Sequence, residues 1–222
     1  MDDIFDAATA NLVAGLEARS AEEAPALGAW FGERASKGEL SWDGFDARST
    51  QYMADKMVAL EPEKSRFCYL TCRALRARKV VEIGTSFGVS TLYLAAAVKA
   101  NGGGVGTGAE REAAKAASTR ATWARTALAD QIELLEGDLR ETLRNLTGPV
   151  DFVLMDIWTE MARPAIELVA PHMRPGAVVM ADNIISSGRG YGPYLDFIHN
   201  PANGFSTQTL PFSGGVEFSV KI

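Results

Sequence analysis

Three short stretches hold residue types able to do chemistry. Residues 80–90 read VVEIGTSFGVS, an apolar run that breaks at Gly84 and Gly88. Val153-Leu154-Met155-Asp156 and Val178-Val179-Met180-Ala181-Asp182-Asn183 are also apolar runs, each ending on a carboxylate. Glycines on either side of Thr85-Ser86-Phe87 let the chain reverse tightly and let a ligand approach the backbone. A helix starting there presents free amides to a polar group. Asp156, Asp182 and Asn183 form an all-oxygen donor set without histidine or cysteine, which suits a hard cation such as Mg2+. In an open α/β sheet the carboxyl ends of the strands border the ligand crevice. The three stretches together predict a nucleotide-like cofactor beside a metal ion.

The details narrow the cofactor. A dinucleotide site asks for GxGxxG, whereas Gly84 and Gly88 are spaced GxxxG. Glu82, within the strand before the turn, would repel a pyrophosphate and favour a cationic ligand. The competing reading is a plain strand-to-helix turn with an edge glutamate. Glu110 and Asp138 have similar alternatives, since each also sits where a helix cap is wanted. Asp182-Asn183 could be a turn signal alone.

Positioning these residues is the task of an alternating chain. From Lys79 onward, strands are expected at 80–83, 105–110, 132–135, 150–156, 177–181, 206–210 and 216–221. Helices are expected at 89–99, 112–126, 139–145 and 160–170. Alternation of this kind implies an α/β, doubly wound, mostly parallel sheet covered on both faces. The last two strands, joined by a turn-rich 211–215, read as an antiparallel hairpin at one edge. Residues before about 76 carry helix signals only. Asp2-Asp3 precedes a periodic run through Ile4, Phe5, Ala8, Leu12 and Leu16, a second run covers 20–35, and Pro62 opens a third helix. The division expected is an N-terminal helical extension or lid, 1–60, packed on one globular unit, 61–222.

Composition excludes several classes. A formal net charge of -6 offers no electrostatic footprint for nucleic acid. No apolar run approaches a bilayer span, and the acidic start lacks the charge of a secretory signal. A cytoplasmic protein is the expectation. Cys68 and Cys72 read as reduced core residues, there being no CxxC and no nearby histidine.

E-I-G-T-S-F-G-V-S resembles the first motif of the class I S-adenosylmethionine-dependent methyltransferases. It is similar above all to the small cation-dependent O-methyltransferases of the catechol O-methyltransferase type, over residues from about 61 onward. The resemblance implies a seven-stranded Rossmann-like methyltransferase fold, with the last strand inserted antiparallel. It places Glu82, Gly84, Thr85 and Ser90 around the methionine part of S-adenosylmethionine, Glu110 on the ribose hydroxyls, and Asp138, Leu139 and Trp158 beside the adenine. It implies that Asp156, Asp182 and Asn183 hold Mg2+, which chelates both oxygens of a catechol-like aromatic acceptor. Asp156 then also lies near the cofactor, Glu217 contacts the acceptor, and the protein forms a homodimer.

One departure matters. The family's lysine base falls at Thr159, and a threonine hydroxyl is no base near neutral pH. Ionisation by the metal with bulk water as acceptor, a substitute such as His199, or a different acceptor would each account for it. His172 belongs to the wrong end of the sheet. Aromatic and sulfur side chains in the N-terminal part (Trp30, Phe31, Trp42, Phe45, Tyr52, Met53, Met57) suit a lid, an interface or simple core. Residues 188–192 read as a mobile loop over the metal edge. Three functions are weighed: a methyltransferase acting on a small hydroxylated aromatic, an S-adenosylmethionine-binding protein without turnover, and a nicotinamide oxidoreductase. The last fails for want of GxGxxG.

Overall fold

In the computed structural model, which describes residues 4–39 and 46–222, the alternation after residue 78 becomes one seven-stranded sheet. Its strands are β1 (Lys79–Ile83), β2 (Val105–Glu110), β3 (Ile132–Glu136), β4 (Val150–Met155), β5 (Met173–Ala181), β6 (Phe205–Leu210) and β7 (Val216–Lys221), in the order β3-β2-β1-β4-β5-β7-β6. The first five run parallel. β7 is antiparallel to both β5 and β6, so the terminal hairpin enters the sheet with β7 innermost.

Side-chain alternation builds a core on each face. Val81, Ile83, Val153, Met155 and Val179 share one cluster with Ala162 and Ile166 of α7 (Thr159–Val169) and Tyr194 of α8 (Gly192–Ile198). Val80, Leu154, Val178 and Met180 face the opposite way. They meet Leu94 and Val98 of α4 (Val89–Ala100) and Cys68 and Cys72 of α3 (Pro62–Ala74). Both cysteines are free and buried. In the glycine-rich β2, Gly108 lies against the turn that follows β1: a Cβ there would stand 2.6 Å from Thr85 Oγ1.

The N-terminal part differs from the sequence expectation. The two expected helices are one, α1 (Ala7–Ser36), which continues through Pro25. The flanking Ala21-Glu22-Glu23-Ala24 favours helix strongly enough to carry the chain past it. Asp6 is the N-cap, accepting from the Thr9 amide at 2.9 Å, so Ile4 and Phe5 precede the helix. Phe5 packs edge-on against Tyr93 at 4.8 Å between centroids. Asp2, Asp3, Trp42 and Phe45 lie outside the described residues. A short α2 (Ala47–Met53), capped by Asp46, was not foreseen, being too brief for a periodic signal. The segment expected at 112–126 is α5 (Ala113–Trp123), and that at 139–145 is α6 (Leu139–Thr142) followed by a 3-10 turn. No helix of the described residues is long and apolar enough to cross a membrane.

Candidate active site

The turn after β1 is shaped by what it touches. Gly84 has φ +96°, and a Cβ on it would fall 1.9 Å from the carbonyl oxygen of Asp156. Gly88, at φ +79°, caps α4. Glu82 lies fully buried under the turn, and the hydroxyls of Ser90 and Thr91 donate one to each of its oxygens. Burial pushes its carboxyl up to about 7. Thr85 and Ser90 are buried beside it, so Glu82, Thr85 and Ser90 form a floor and do not line the open cleft.

That cleft, of about 530 Å³, opens along the carboxyl ends of the strands. Its size suits a small-molecule site. Glu110, at the end of β2, lines it. The Ser86 and Glu112 amides donate to its two oxygens at 2.8 Å each, which fixes the carboxylate, and each oxygen keeps acceptor capacity for a ligand hydroxyl. Burial raises this carboxyl above its ordinary range. Asp138 has the cap role that the sequence allowed and a place on the cleft as well. It caps α6, accepting from the Arg140 amide at 2.9 Å, and it lines the cleft with Leu139. The Arg140 guanidinium beside it holds its carboxyl down at about 2.

Trp158 and Thr159 open α7, and both line the cleft. Trp158 faces Phe31 of α1 at 6.3 Å between centroids. Thr159 packs against the loop after β5, where a Cβ on Gly190 would stand 2.6 Å from its hydroxyl. Tyr191, in that loop, donates to the Ile157 carbonyl at 3.2 Å. The opposing wall is made by Met53, Ala54 and Val58. Side chains of α1 hold that wall: Glu23 accepts from the Met57 amide at 2.7 Å, and Ser20 from the Ala59 amide at 3.1 Å.

The acidic end is crowded. Asp156 lines the cleft, and its carboxylate has no hydrogen-bond partner among the described residues. Burial first, then Asp182 and Glu82, push its carboxyl well above the usual range. Asp182 is 2% exposed. Its Oδ1 accepts from Lys64 Nζ at 2.7 Å and its Oδ2 from Asn183 Nδ2 at 3.1 Å. Lys64, fully buried on α3, has a second arm to Glu61 at 2.8 Å. Asn183 adopts φ +61° and accepts from Ser186 Oγ at 3.1 Å.

Asp156 feels the carboxylates of Asp182, Glu82 and Glu61, which favour its protonated form, and the ammonium of Lys64, which opposes them. An unpartnered carboxylate in an acid-rich pocket fits a hard cation. Among the described residues no group of three or more His, Cys, Asp or Glu is arranged to hold a metal ion. A cation here would therefore rest on Asp156, Asp182 and the carbonyl of Asn183.

Glu217 stands apart. Expected to contact an acceptor, it lies opposite Ala181, 1% exposed, and does not line the cleft. Three donors claim it: Thr207 at 2.5 Å, Thr209 at 2.6 Å and His199 at 2.8 Å. Burial would raise its carboxyl, and these donors together bring it below the usual value. His199, engaged there, is likewise not at the cleft. Lys64 had gone unnoticed in the sequence, although it left a signal. A lysine in the first turn of a helix opposes the helix dipole and asks for an acidic partner. Met53 is among the apolar residues expected of a lid, an interface or core, whereas Val58 left no signal.

Comparison with known proteins agrees with this fold. Residues 81–184 match the family described as "Methyltransferase domain". The chain is 33% identical over 132 residues to a catechol O-methyltransferase of Mycobacterium tuberculosis, covering 59% of each chain. It is 28% identical over 140 residues to a catechol O-methyltransferase of Niastella koreensis, covering 60% of this chain and 61% of that one. The match thus spans about three fifths of the length of these curated relatives. Among solved structures, the O-methyltransferase of Bacillus cereus superposes with a TM-score of 0.66 at 21% identity, over 82% of this chain and 100% of that one. At that identity the likeness speaks for the fold.

Proposed function

Because residues 81–184 carry a methyltransferase domain, we propose that this protein moves the methyl group of S-adenosylmethionine to a hydroxyl of a small, catechol-like aromatic acceptor. The observation that carries the reading is one cleft with two unlike ends: Glu110, pinned by backbone amides, at one, and Asp156 with Asn183 at the other.

Glu110 accepts the ribose hydroxyls, while Leu139 and Trp158 flank the adenine. The glycine turn lets the cofactor lie against the backbone, and Glu82 beneath it supplies negative potential under a cationic ligand. Asp156, Asp182 and Asn183 would hold Mg2+ or another divalent cation. S-adenosylmethionine supplies the electrophilic methyl group, and the cation a Lewis acid that lowers the pKa of a chelated phenol. Met53, Val58 and Tyr191 also line the cleft, and they would pack against the ring of an aromatic acceptor. Catalysis by these residues is chiefly positioning and exclusion of water. Thr159 takes no proton, and the acceptor's proton leaves to bulk water. Residues 1–60 act as the lid of a unit formed by 61–222, in a cytoplasmic homodimer.

The test is to incubate the protein with methyl-labelled S-adenosylmethionine and a simple catechol acid, once with Mg2+ and once with EDTA. Transfer that EDTA abolishes supports the whole proposal. Equal transfer in both tubes removes the cation from it. Cofactor binding without transfer to any diol favours the second reading, a binding protein, for which Thr159 is the specific observation.

A further inference from the structure

Lys115 is a buried cation whose donors are unused. It stands in the first turn of α5, where a positive charge opposes the helix dipole and asks for an acceptor. The residue is 9% exposed and lines the cleft. Among the described residues no hydrogen bond and no ion pair reaches its ammonium. It lies over the Phe87 ring, 5.5 Å from the centroid. A ring face attracts an ammonium without filling its three donors.

Four carboxylates act on this charge, Glu110 most strongly, then Glu112, Asp55 and Glu23. Three of them have cations of their own: Glu112 has Arg111, Asp55 has Lys56 and Glu23 has Arg19. Glu110 is held by backbone amides, and among the described residues it makes no ion pair. Glu110 and Lys115 therefore line one cleft without touching each other. An ionised carboxylate only accepts and an ammonium only donates. A gap between them suits a group that can do both, and a sugar diol is such a group. A free anion would be repelled by Glu110, and a free cation by Lys115.

We propose that Lys115 is a cofactor-binding residue: its ammonium donates to a ribose hydroxyl oxygen of the nucleoside while Glu110 accepts from the same diol. This rests on reading Glu110 as the ribose acceptor. The ligand class selected at this end of the cleft is a nucleoside with its diol intact.

The experiment is calorimetric binding of three ligands to the full chain. They are S-adenosylhomocysteine, its analogue lacking both ribose hydroxyls, and methylthioadenosine, which keeps the ribose and lacks the amino-acid part. Lys115→Met should bind S-adenosylhomocysteine roughly ten- to a hundredfold more weakly than the native protein, the range for one hydrogen bond to a charged group. Methylthioadenosine should lose the same factor. The analogue without hydroxyls should bind both proteins alike.

An equal loss for all three ligands marks an effect carried through the fold and overturns the proposal. A loss confined to S-adenosylhomocysteine and its hydroxyl-free analogue puts the ammonium on the amino-acid carboxylate, and overturns it too. Both outcomes leave the cofactor reading standing. Failure of the native protein to bind S-adenosylhomocysteine removes that reading and this role together. Should circular dichroism show that Lys115→Met does not fold, amine labelling of the native protein, read at Lys115 by peptide mass spectrometry, decides. S-adenosylhomocysteine at saturation should slow the labelling several-fold more than the hydroxyl-free analogue does, and equal protection by the two overturns the idea.

Discussion

The carbonyl oxygen of Asp156 lies where a side chain on Gly84 would begin, 1.9 Å from an added Cβ. The glycine turn proposed for the cofactor and the strand end that carries the first acid are therefore fixed against each other by backbone contact. Gly84→Ala must both strain a φ of +96° and push the two apart. The variant should lose at least about 3 kcal/mol of stability. Thermal unfolding with calorimetric binding of S-adenosylhomocysteine checks both effects, and a folded variant with native affinity would contradict the assignment.

Glu110→Gln places an amide where the Ser86 and Glu112 N–H groups now meet a carboxylate. Charge-assisted hydrogen bonds to the ligand are lost as well, so S-adenosylhomocysteine should bind roughly ten- to a hundredfold more weakly. Acceptor KM at saturating cofactor should move little.

Glu82 gives a pH prediction with a definite sign. Its folded pKa, raised by burial to about 7 from 4.5, means that between those values the folded state holds more protons than the unfolded. Stability is then highest below the lower value and falls as pH rises through the window, by up to about 1.4 kcal/mol per unit. Unfolding of the cofactor-free protein between pH 4.5 and 7 measures the slope, and Glu82→Gln should flatten it.

Glu23 holds the cleft wall from α1 through the Met57 amide. In Glu23→Ala that amide should exchange with deuterium faster, and the acceptor KM should rise while cofactor affinity stays close to native. An unaltered exchange rate would mean that the wall does not depend on this latch.

Thr159→Lys restores the residue type that the catechol O-methyltransferase resemblance leads one to expect. Gly190 leaves no room for it, since its own backbone lies against the Thr159 side chain. The variant should lose about 2 kcal/mol to overpacking and gain no rate. Faster turnover would show that a base was wanting after all.

The sheet was legible because strands and helices alternate along the chain, and one end of the cleft because β4 and β5 are apolar runs, each followed at once by a carboxylate. Asp156 could be read from that change, whereas Glu110, at the end of the glycine-rich β2, was picked out through the family resemblance. Asp138 remained ambiguous, since capping and lining ask for the same side chain. Glu217 was misplaced because alternation along β7 says which way a residue points, not that His199, Thr207 and Thr209 wait there to receive it. The partnership of Lys64 with Asp182 spans too much chain for any local pattern. The wall from Met53 to Val58 has no periodicity of its own and is shaped by Ser20 and Glu23 of α1.

The insertion of β7 between β5 and β6 has a consequence for how the chain fails. Until the terminal hairpin docks, Val178, Val179, Met180 and Ala181 form an unpaired and strongly apolar border. A species caught at that stage would offer the border to a neighbouring molecule and precipitate. It would also lack a finished acid end, because the amides of Ile184 and Ile185 are held by the carbonyls of Gly215 and Gly214, just ahead of β7. A covered sheet border and a finished acid end thus both depend on docking of the terminal hairpin.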